Sequence, residues 1–427
     1  MRRTPNGRQA TKSANKENSA LSPYRALDLS DEKGVLCGKI LGDLGVDVIK
    51  IEPPGGDPCR KRGPFYKDIS DPEKSLFWFA YNTSKRGITL NIENPRGRKI
   101  FRKLVATADF VIESYSPGYM DYLGIGYRQL SKINRQIIMV SISPFGQRGP
   151  YSQYKASDLV TAAMGGMIYP HGDADRPPVQ IAEGQSYLQA SAQAAAGALL
   201  ALYARPRIKQ GQWIDVSVQE CAAMVPMIDL GWWISEKAIV RRQGPYRLRG
   251  SVAQREIWPC KDGHVAFRIL GGVYSKGIRP LAEWMAEEGQ AGALGDVADW
   301  SELDILEITQ EQAEAWERAI GDFLRRHTKA EIYQRALEHG IFLLPGYTTA
   351  EMMDDRQLQA RQYWVHLPHP ELGDVIKYPS APCVLSLTPW TLSRRAPLVG
   401  EHNEEIYCRE MGLSEKDLHA LKGANII

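Results

Sequence analysis

The sequence predicts an α/β fold organised around a doubly wound parallel sheet, and three features of residues 26–146 predict it. Short apolar runs alternate with segments of helical periodicity, the links between them are short, and the alternation repeats before a further strand follows. "ALDLS", from Ala26, reads as a short strand. "GVLCGKILGDLG" reads as a helix closed by Gly45, because glycine readily takes the left-handed conformation that ends a helix. "VDVIKIE" is then a second, buried strand, and short links make the two strands of this βαβ unit parallel neighbours. A Pro/Gly-rich loop, "PPGGDPCRKRGPF", leads to "GITLNI", "GRKIFRKLVATA" and "DFVIESY", which repeat the strand, helix, strand order. "RQIIMVSISPFG" supplies another strand. The GxGxxG fingerprint is missing after the first strand, where Ser30, Asp31, Glu32, Lys33 and Gly34 stand, which argues against a nicotinamide or flavin cofactor.

Composition narrows the function. The 427 residues are 43% hydrophobic and 24% charged, enough for two or three well-buried domains and inconsistent with disorder as the dominant state. Net charge is +3, on 53 basic and 50 acidic residues, so there is no overall electrostatic case for nucleic acid or membrane partners. Local basic clusters, Arg60, Lys61 and Arg62 and again Arg241 and Arg242, leave an anionic small ligand open beside plain solvated charge. Cys37, Cys59, Cys221, Cys260, Cys383 and Cys408 show neither CxxC nor metal spacing, so they read as small buried groups in a reducing, cytoplasmic setting. No apolar run of about 18 residues exists. Residues 1–23 are basic and polar and read as a disordered tail.

The middle of the chain suggests a second domain. "WPCKDGHVAFRIL" reads as a hairpin turning at Lys261, Asp262 and Gly263, and residues 280–340 are charged and helical. "GDVIKYPSAPCVLSL" returns to strand and loop, and Ser414 with Asp417 starts a capped helix.

Chemistry is harder to find. "PPVQIAEGQSYLQASAQAAAGALLALYAR" (177–205) places a long helix after a polar turn, and a helix start is a natural site for a group that becomes negative. Yet its first turn offers only the amide of Gln185, a hydroxyl and the phenol of Tyr187, with one carboxylate, Glu183, just upstream. His402 in "GEHNEE" reads as a loop histidine, no GxSxG supports a serine hydrolase, and no ligand cluster supports a metal. Lys85, Arg86, Arg96 and Arg98 in "NTSKRGITLNIENPRGRK" are candidate phosphate contacts.

The combination of "KILGDLGVDVIKIEPPGGD", "FAYNTSKRGITLNI", "NPRGRKIFRKLVATADFVIESYSPGYMDYLGIGY", "ISPFGQRGPYS", "GQWIDVSVQE", "PCKDGHVAF" and "PLVGEHNEEIY" resembles the class III coenzyme A transferases. That family includes carnitine CoA-transferase, formyl-CoA transferase and α-methylacyl-CoA racemase, and the likeness covers residues 24–427. It implies a Rossmann-like large domain built from both chain ends (24–225 and 341–427), a small α+β middle domain with its linker (226–340), and two chains threaded through each other. It also implies a CoA thioester as substrate and no permanently bound cofactor. In the family's transferases an aspartate attacks the thioester and forms an acyl anhydride, from which CoA is recaptured and passed on.

Matched residue by residue, that aspartate falls on Tyr187, whose phenol is mostly protonated at neutral pH. An arginine able to meet CoA phosphates falls on Tyr122, another on Pro53, and the racemase histidine on Ser157, beside Asp158. Lys155 matches a lysine that approaches the phosphates, while Leu90, Asn91, Ile92 and Glu93 lie where the family packs adenine, and Glu32 and Lys33 face the site. The pattern resembles the aspartate-lacking subunit of the heteromeric succinyl-CoA:benzylsuccinate CoA-transferases, which implies a catalytic paralogue as partner and organic-acid substrates. Three alternatives stand: a homodimeric transferase using Glu183, a CoA-binding or regulatory protein without turnover, and lyase or isomerase chemistry with Tyr187 as acid.

Overall fold

The computed structural model describes residues 19–182, 184–249 and 251–427. The described chain divides into two units. One holds residues up to Met167 with Ile181–Gly231 and Gln359–Ile427, and the other holds Ile168–Gln180 and Trp232–Leu358. Residues 1–18 of the tail expected over 1–23 lie outside the described residues. Ser19–Pro23 form turns, and the Leu21 N–H donates to the Leu44 carbonyl at 3.0 Å.

The first unit is built on six strands: β1 (Arg25–Asp28), β2 (Asp47–Glu52), β3 (Lys85–Thr89), β4 (Phe110–Glu113), β5 (Ile138–Ser143) and β6 (Trp213–Ser217). They pair in parallel in the order β3-β2-β1-β4-β5-β6, with Ala26 beside Val48 on one side and Phe110 on the other. Side chains alternate across the strands, so both faces are filled. Leu27, Ile49, Ile51 and Val111 point to one core, with Phe101 and Leu104 of the helix Pro95–Val105. Ala26, Val48, Phe110, Ile112 and Val140 point to the other, against Leu41 and the long helix Gln185–Ile208. That helix buries Ala190, Ala194, Ala195 and Ala198, small residues that let its backbone approach the sheet closely.

The last residues of the chain finish this unit. The Tyr407 hydroxyl donates to the Thr89 carbonyl at 2.7 Å, and the Asn403 Oδ1 accepts from the Thr89 N–H at 2.9 Å. The chain end therefore covers the β3 edge, which would otherwise present unpaired backbone groups. His402 belongs to this closure: its Nδ1 accepts from the Gly87 N–H at 3.1 Å, so it is a structural residue held against the sheet edge.

The second unit centres on three antiparallel strands, Ile257–Cys260, Gly263–Phe267 and Leu343–Pro345. Cys260 pairs with Gly263, so Lys261 and Asp262 make the expected tight turn. Trp258, Phe267, Trp284, Trp316 and Phe323 form the core against helices Arg279–Glu287, Gln310–Leu324 and Lys329–His339. Compared with the span 226–340 expected for the small domain, this unit begins at Trp232, runs to Leu358 and takes in residues 168–180. The Gly244 N–H donates to the Gly172 carbonyl at 2.9 Å, and Arg242 donates to the Tyr169 and Arg176 carbonyls, which ties that stretch to it.

Four cysteines are buried, but Cys383, in a loop, is exposed and Cys408, in the helical segment Glu404–Glu410, is half-buried. Among the described residues, no helix is long and apolar enough to cross a membrane.

A buried charge cluster joins the first three strands: Asp28 ends β1, Lys50 lies within β2 and Lys85 begins β3. Burial opposes ionisation of Asp28, but Lys85 and Lys50 outweigh it and keep the carboxyl below its ordinary value. Its stabilisation is therefore present above the unfolded carboxylate pKa and is lost as pH falls through the lower folded value. Replacing Asp28 by Asn leaves the buried Lys85 ammonium without its carboxylate, while Lys50 keeps Asp57, and should cost about 3–5 kcal/mol in urea unfolding.

Candidate functional site

Strand order reverses between β1 and β4, and in open α/β sheets such a reversal opens a crevice beyond the carboxyl ends of the strands. Asp28 begins its floor. The carboxylate is fully buried and accepts from the Ser30 N–H (3.0 Å), the Ser30 hydroxyl (2.6 Å) and Lys85 Nζ (2.8 Å). Lys50 donates to the Ser30 carbonyl and lies 3.3 Å from Asp57. These bonds fix the loop that delivers Asp31, Glu32 and Lys33. The Asp31 N–H donates to the Ser114 hydroxyl at 2.8 Å, and that hydroxyl donates to the Asp31 carboxylate at 2.7 Å, joining the ends of β1 and β4. Lys33 pairs with Asp31, and its carbonyl accepts from the Ser191 hydroxyl of the long helix.

The long helix begins behind Gly184, whose φ of 79° suits a residue without Cβ but offers no capping group. Asp158, at the start of the helix Asp158–Met164, supplies the cap instead. Its Oδ1 accepts from the Ser186 N–H (2.9 Å), the Ser186 hydroxyl (2.6 Å) and the Tyr187 N–H (3.2 Å). The helix end, with the partial positive charge that favours an anion, is thus already occupied by a carboxylate of the same chain.

Tyr187 is 3% exposed, and among the described residues its hydroxyl donates to the Ala156 carbonyl, at 3.4 Å. Burial, aided by the Glu32, Asp31 and Asp158 carboxylates and opposed by Arg62, drives the phenol well above its ordinary value. At neutral pH the group is uncharged and is not a nucleophile. Beside it lies a cavity of about 300 Å³ lined by Leu76, Phe77, Tyr81, Tyr187 and Leu188, with Glu32 and Arg62 on its wall. Arg62 pairs with Glu32, and its guanidinium lies 4.5 Å from the Phe77 ring centre. The lining is apolar and aromatic, with its one described ion pair internally compensated. Such a surface can hold an uncharged acyl or aromatic group.

Glu113, at the end of β4, is 4% exposed, and its carboxylate accepts from the Tyr115 N–H at 2.8 Å. Burial pushes its pKa up to about 7, against hydrogen bonds from Ser141 and the Tyr115 backbone.

The structure brings Glu32, Lys33, Gln185 and Tyr187 together in one region, with Gln185 as the first helical residue. Glu183 lies outside the described residues. The adenine segment is split by burial. Leu90 and Ile92 point into the core, Asn91 is half-buried, and the exposed Glu93 accepts from the Tyr119 hydroxyl at 2.7 Å. Arg98 donates to the Ile92 and Glu93 carbonyls, while Arg96, Lys155 and Tyr122 are exposed.

Two phosphate candidates are corrected. Lys85 is fully buried on Asp28, and Arg86 is held by Asp47, Glu405 and Glu410, so neither charge is available to a ligand. Arg60 is withdrawn likewise: it makes two bonds to Glu52 (2.6 and 2.8 Å) and stacks 3.8 Å from the Trp78 ring centre. Sequence reasoning missed the capping role of Asp158, the buried Glu113 and the cavity wall at Phe77 and Tyr81. The signals for the last were the aromatic run "LFWFAY" and the Ser75 cap before it. Among the described residues, no cluster of histidine, cysteine or carboxylate side chains could hold a metal.

The model for CoA-transferase family III matches residues 22–403. The chain is 34% identical over 387 residues to the succinyl-CoA:(R)-benzylsuccinate CoA-transferase subunit BbsE of Thauera aromatica, covering 90% of this chain and 93% of that one. It is 31% identical over 401 residues to a succinyl-CoA–D-citramalate CoA-transferase of Chloroflexus aurantiacus, covering 92% and 94%. A solved CAIB/BAIF family protein from Brucella suis superposes with a TM-score of 0.79 at 24% identity, over 92% of this chain and 99% of that one. This last likeness bears on the fold.

The raised pKa of Glu113 has a measurable consequence. A carboxyl whose folded pKa lies above its unfolded value contributes most below the unfolded pKa and loses that contribution as pH rises through the folded one. Stability should therefore fall by on the order of 3 kcal/mol between about pH 4 and pH 8, and Glu113→Gln should remove that slope in urea titrations.

Proposed function

The chain belongs to CoA-transferase family III, and from that premise we propose that it is the non-catalytic subunit of a heteromeric, succinyl-CoA-dependent CoA-transferase. The observation that carries this reading is Tyr187. The motif match sets it at the position of the family's aspartate, and it is a buried, uncharged phenol at a helix end that Asp158 already caps. A carboxylate nucleophile must attack a thioester carbonyl, release CoA thiolate and hold the acyl group as an anhydride. Tyr187 cannot do so at neutral pH, and Glu32, the described carboxylate on the cavity wall, is paired with Arg62.

In this account a paralogous chain supplies the aspartate, and the two chains interlock. This chain contributes scaffold, linkers and a surface for the organic acid. The Thauera relative's name, which calls it a subunit of a benzylsuccinate enzyme, supports both the heteromeric assembly and an aromatic dicarboxylic acid as acceptor. The helix Met227–Glu236 supports a chain partner by independent means. No residue of it is buried, and Met227, Ile228, Leu230, Trp232, Trp233 and Ile234 are all exposed. Such an apolar run on the surface of a folded protein, interrupted by Asp229 and Gly231, supports an association site.

The test is to purify this chain alone and together with an aspartate-bearing paralogue from the same source. The expected result is exchange of labelled CoA into succinyl-CoA by the pair and none above background by the isolated chain. Full exchange by the isolated chain, lost in Glu183→Gln, would overturn the reading in favour of a self-sufficient enzyme.

A further inference from the structure

The short helix Leu76–Tyr81 is mostly aromatic, and its two faces go to different places. Trp78 and Phe79 are buried in a small core with Leu367, Tyr378, Leu392 and Ala396 of the return segment. Leu76, Phe77 and Tyr81 line the cavity beside Tyr187 instead. Every residue lining that cavity belongs to the first unit.

The buried face fixes the helix. The Trp78 indole N–H donates to the Pro397 carbonyl at 2.9 Å, and the Arg60 guanidinium, itself held by Glu52, stacks on the same ring. The Phe79 ring centre lies 4.7 Å from that of His369, whose Nε2 is 2.7 Å from the Tyr378 hydroxyl. At the helix start, the Ser75 hydroxyl accepts from the Trp78 N–H at 3.2 Å and donates to the Arg62 carbonyl at 2.6 Å, which ties the helix to the Arg62 loop. The cavity wall is thus built in advance, and little ordering is needed on binding.

The lining suits an aromatic ring. Phe77 and Tyr81 stand with ring centres 4.9 Å apart and planes at 53°, a tilted pair that a further ring can extend, since rings favour offset or edge-on contacts at such spacings. Leu76 and Leu188 add aliphatic surface, and burial keeps the phenols of Tyr81 and Tyr187 protonated. A cavity of about 150 Å³ with apolar and aromatic walls takes a benzene molecule. This one, at about 300 Å³, has room for a ring and a short chain. A short aliphatic diacid fits it poorly. The charged groups on the wall, Arg62 and Glu32, are paired with each other, so a carboxylate drawn inside would lose water without gaining a matched cation.

We propose that Phe77 and Tyr81 make this cavity a selector for a ring: it takes the aryl group of an organic acid or of its thioester, leaves the carboxylates in water outside, and so favours ring-bearing acids over short aliphatic ones. The proposal deepens the reading of this chain as a CoA-transferase subunit and rests on it for the reaction, though not for the binding.

Phenylsuccinate and methylsuccinate carry the same two carboxylates and differ by a ring against a methyl group. Calorimetry on the full chain should show phenylsuccinate binding about tenfold or more tighter, from burial of the ring. Phe77→Ala removes part of the wall, and Leu188→Trp fills the cavity from a half-buried position. Each should reduce the preference to about threefold or less. In the assembled two-chain enzyme, the ratio of kcat/KM for phenylsuccinate over methylsuccinate should fall about tenfold in either variant. Equal binding of the two acids, no binding of phenylsuccinate, or a binding preference or kcat/KM ratio that neither variant changes overturns the proposal. No CoA transfer by the wild-type pair, with ring-selective binding kept, overturns instead the functional reading on which it rests.

Discussion

A single buried carboxylate, Asp28, organises the business end of the sheet. It is the last residue of the central strand and is enclosed by Lys85 from β3 and Lys50 from β2. Taking three charges out of water costs several kcal/mol for each, and only close geometry with further hydrogen bonds can offset that. Here the offsets are present: Lys85 also reaches the Val35 carbonyl and Asn82, and Lys50 reaches Asp57 and the Ser30 carbonyl. The network therefore specifies where the β1 loop goes. From there the Asp31 to Ser114 and Lys33 to Ser191 bonds carry the placement across to β4 and the long helix.

The consequence for chemistry is that the crevice is electrically quiet. Its cations are matched by carboxylates, its helix end is capped by Asp158, and the group facing the cavity is a neutral phenol. Catalysis by a carboxylate calls for the reverse, a free anion at a place that stabilises the charge it passes on. The long helix, alanine-rich and packed close to the sheet, carries Tyr187 in its first turn as a buried, uncharged side chain. On the proposed reading, such a chain shapes and encloses a reaction carried by another.

Much of this was legible in the sequence because it rests on local patterns. The strand and helix alternation, Gly45 as helix stop, the Lys261–Asp262 turn and the Ser414–Asp417 capping box are short-range signals, and each is formed in the structure. Long-range pairing was not legible. Nothing local distinguishes Lys85, buried on a carboxylate 57 residues away, from a surface lysine, nor Arg86, whose partners include residues 319 and 324 positions distant. The same holds at the site. The place of Tyr187 followed from matching motifs, whereas the Asp158 cap joins residues from two helices and becomes visible only when they are folded together. The unit boundaries also depend on contacts between distant stretches, such as Gly172 with Gly244.

The central claim is that covalent chemistry takes place on another chain. The direct measurement is to quench the two-chain enzyme during turnover with a trapping nucleophile and locate the modified peptide in each chain by mass spectrometry. The account predicts modification of an aspartate in the partner and none within residues 177–205 of this chain. An adduct on this chain, at Glu183 or Tyr187, would contradict it.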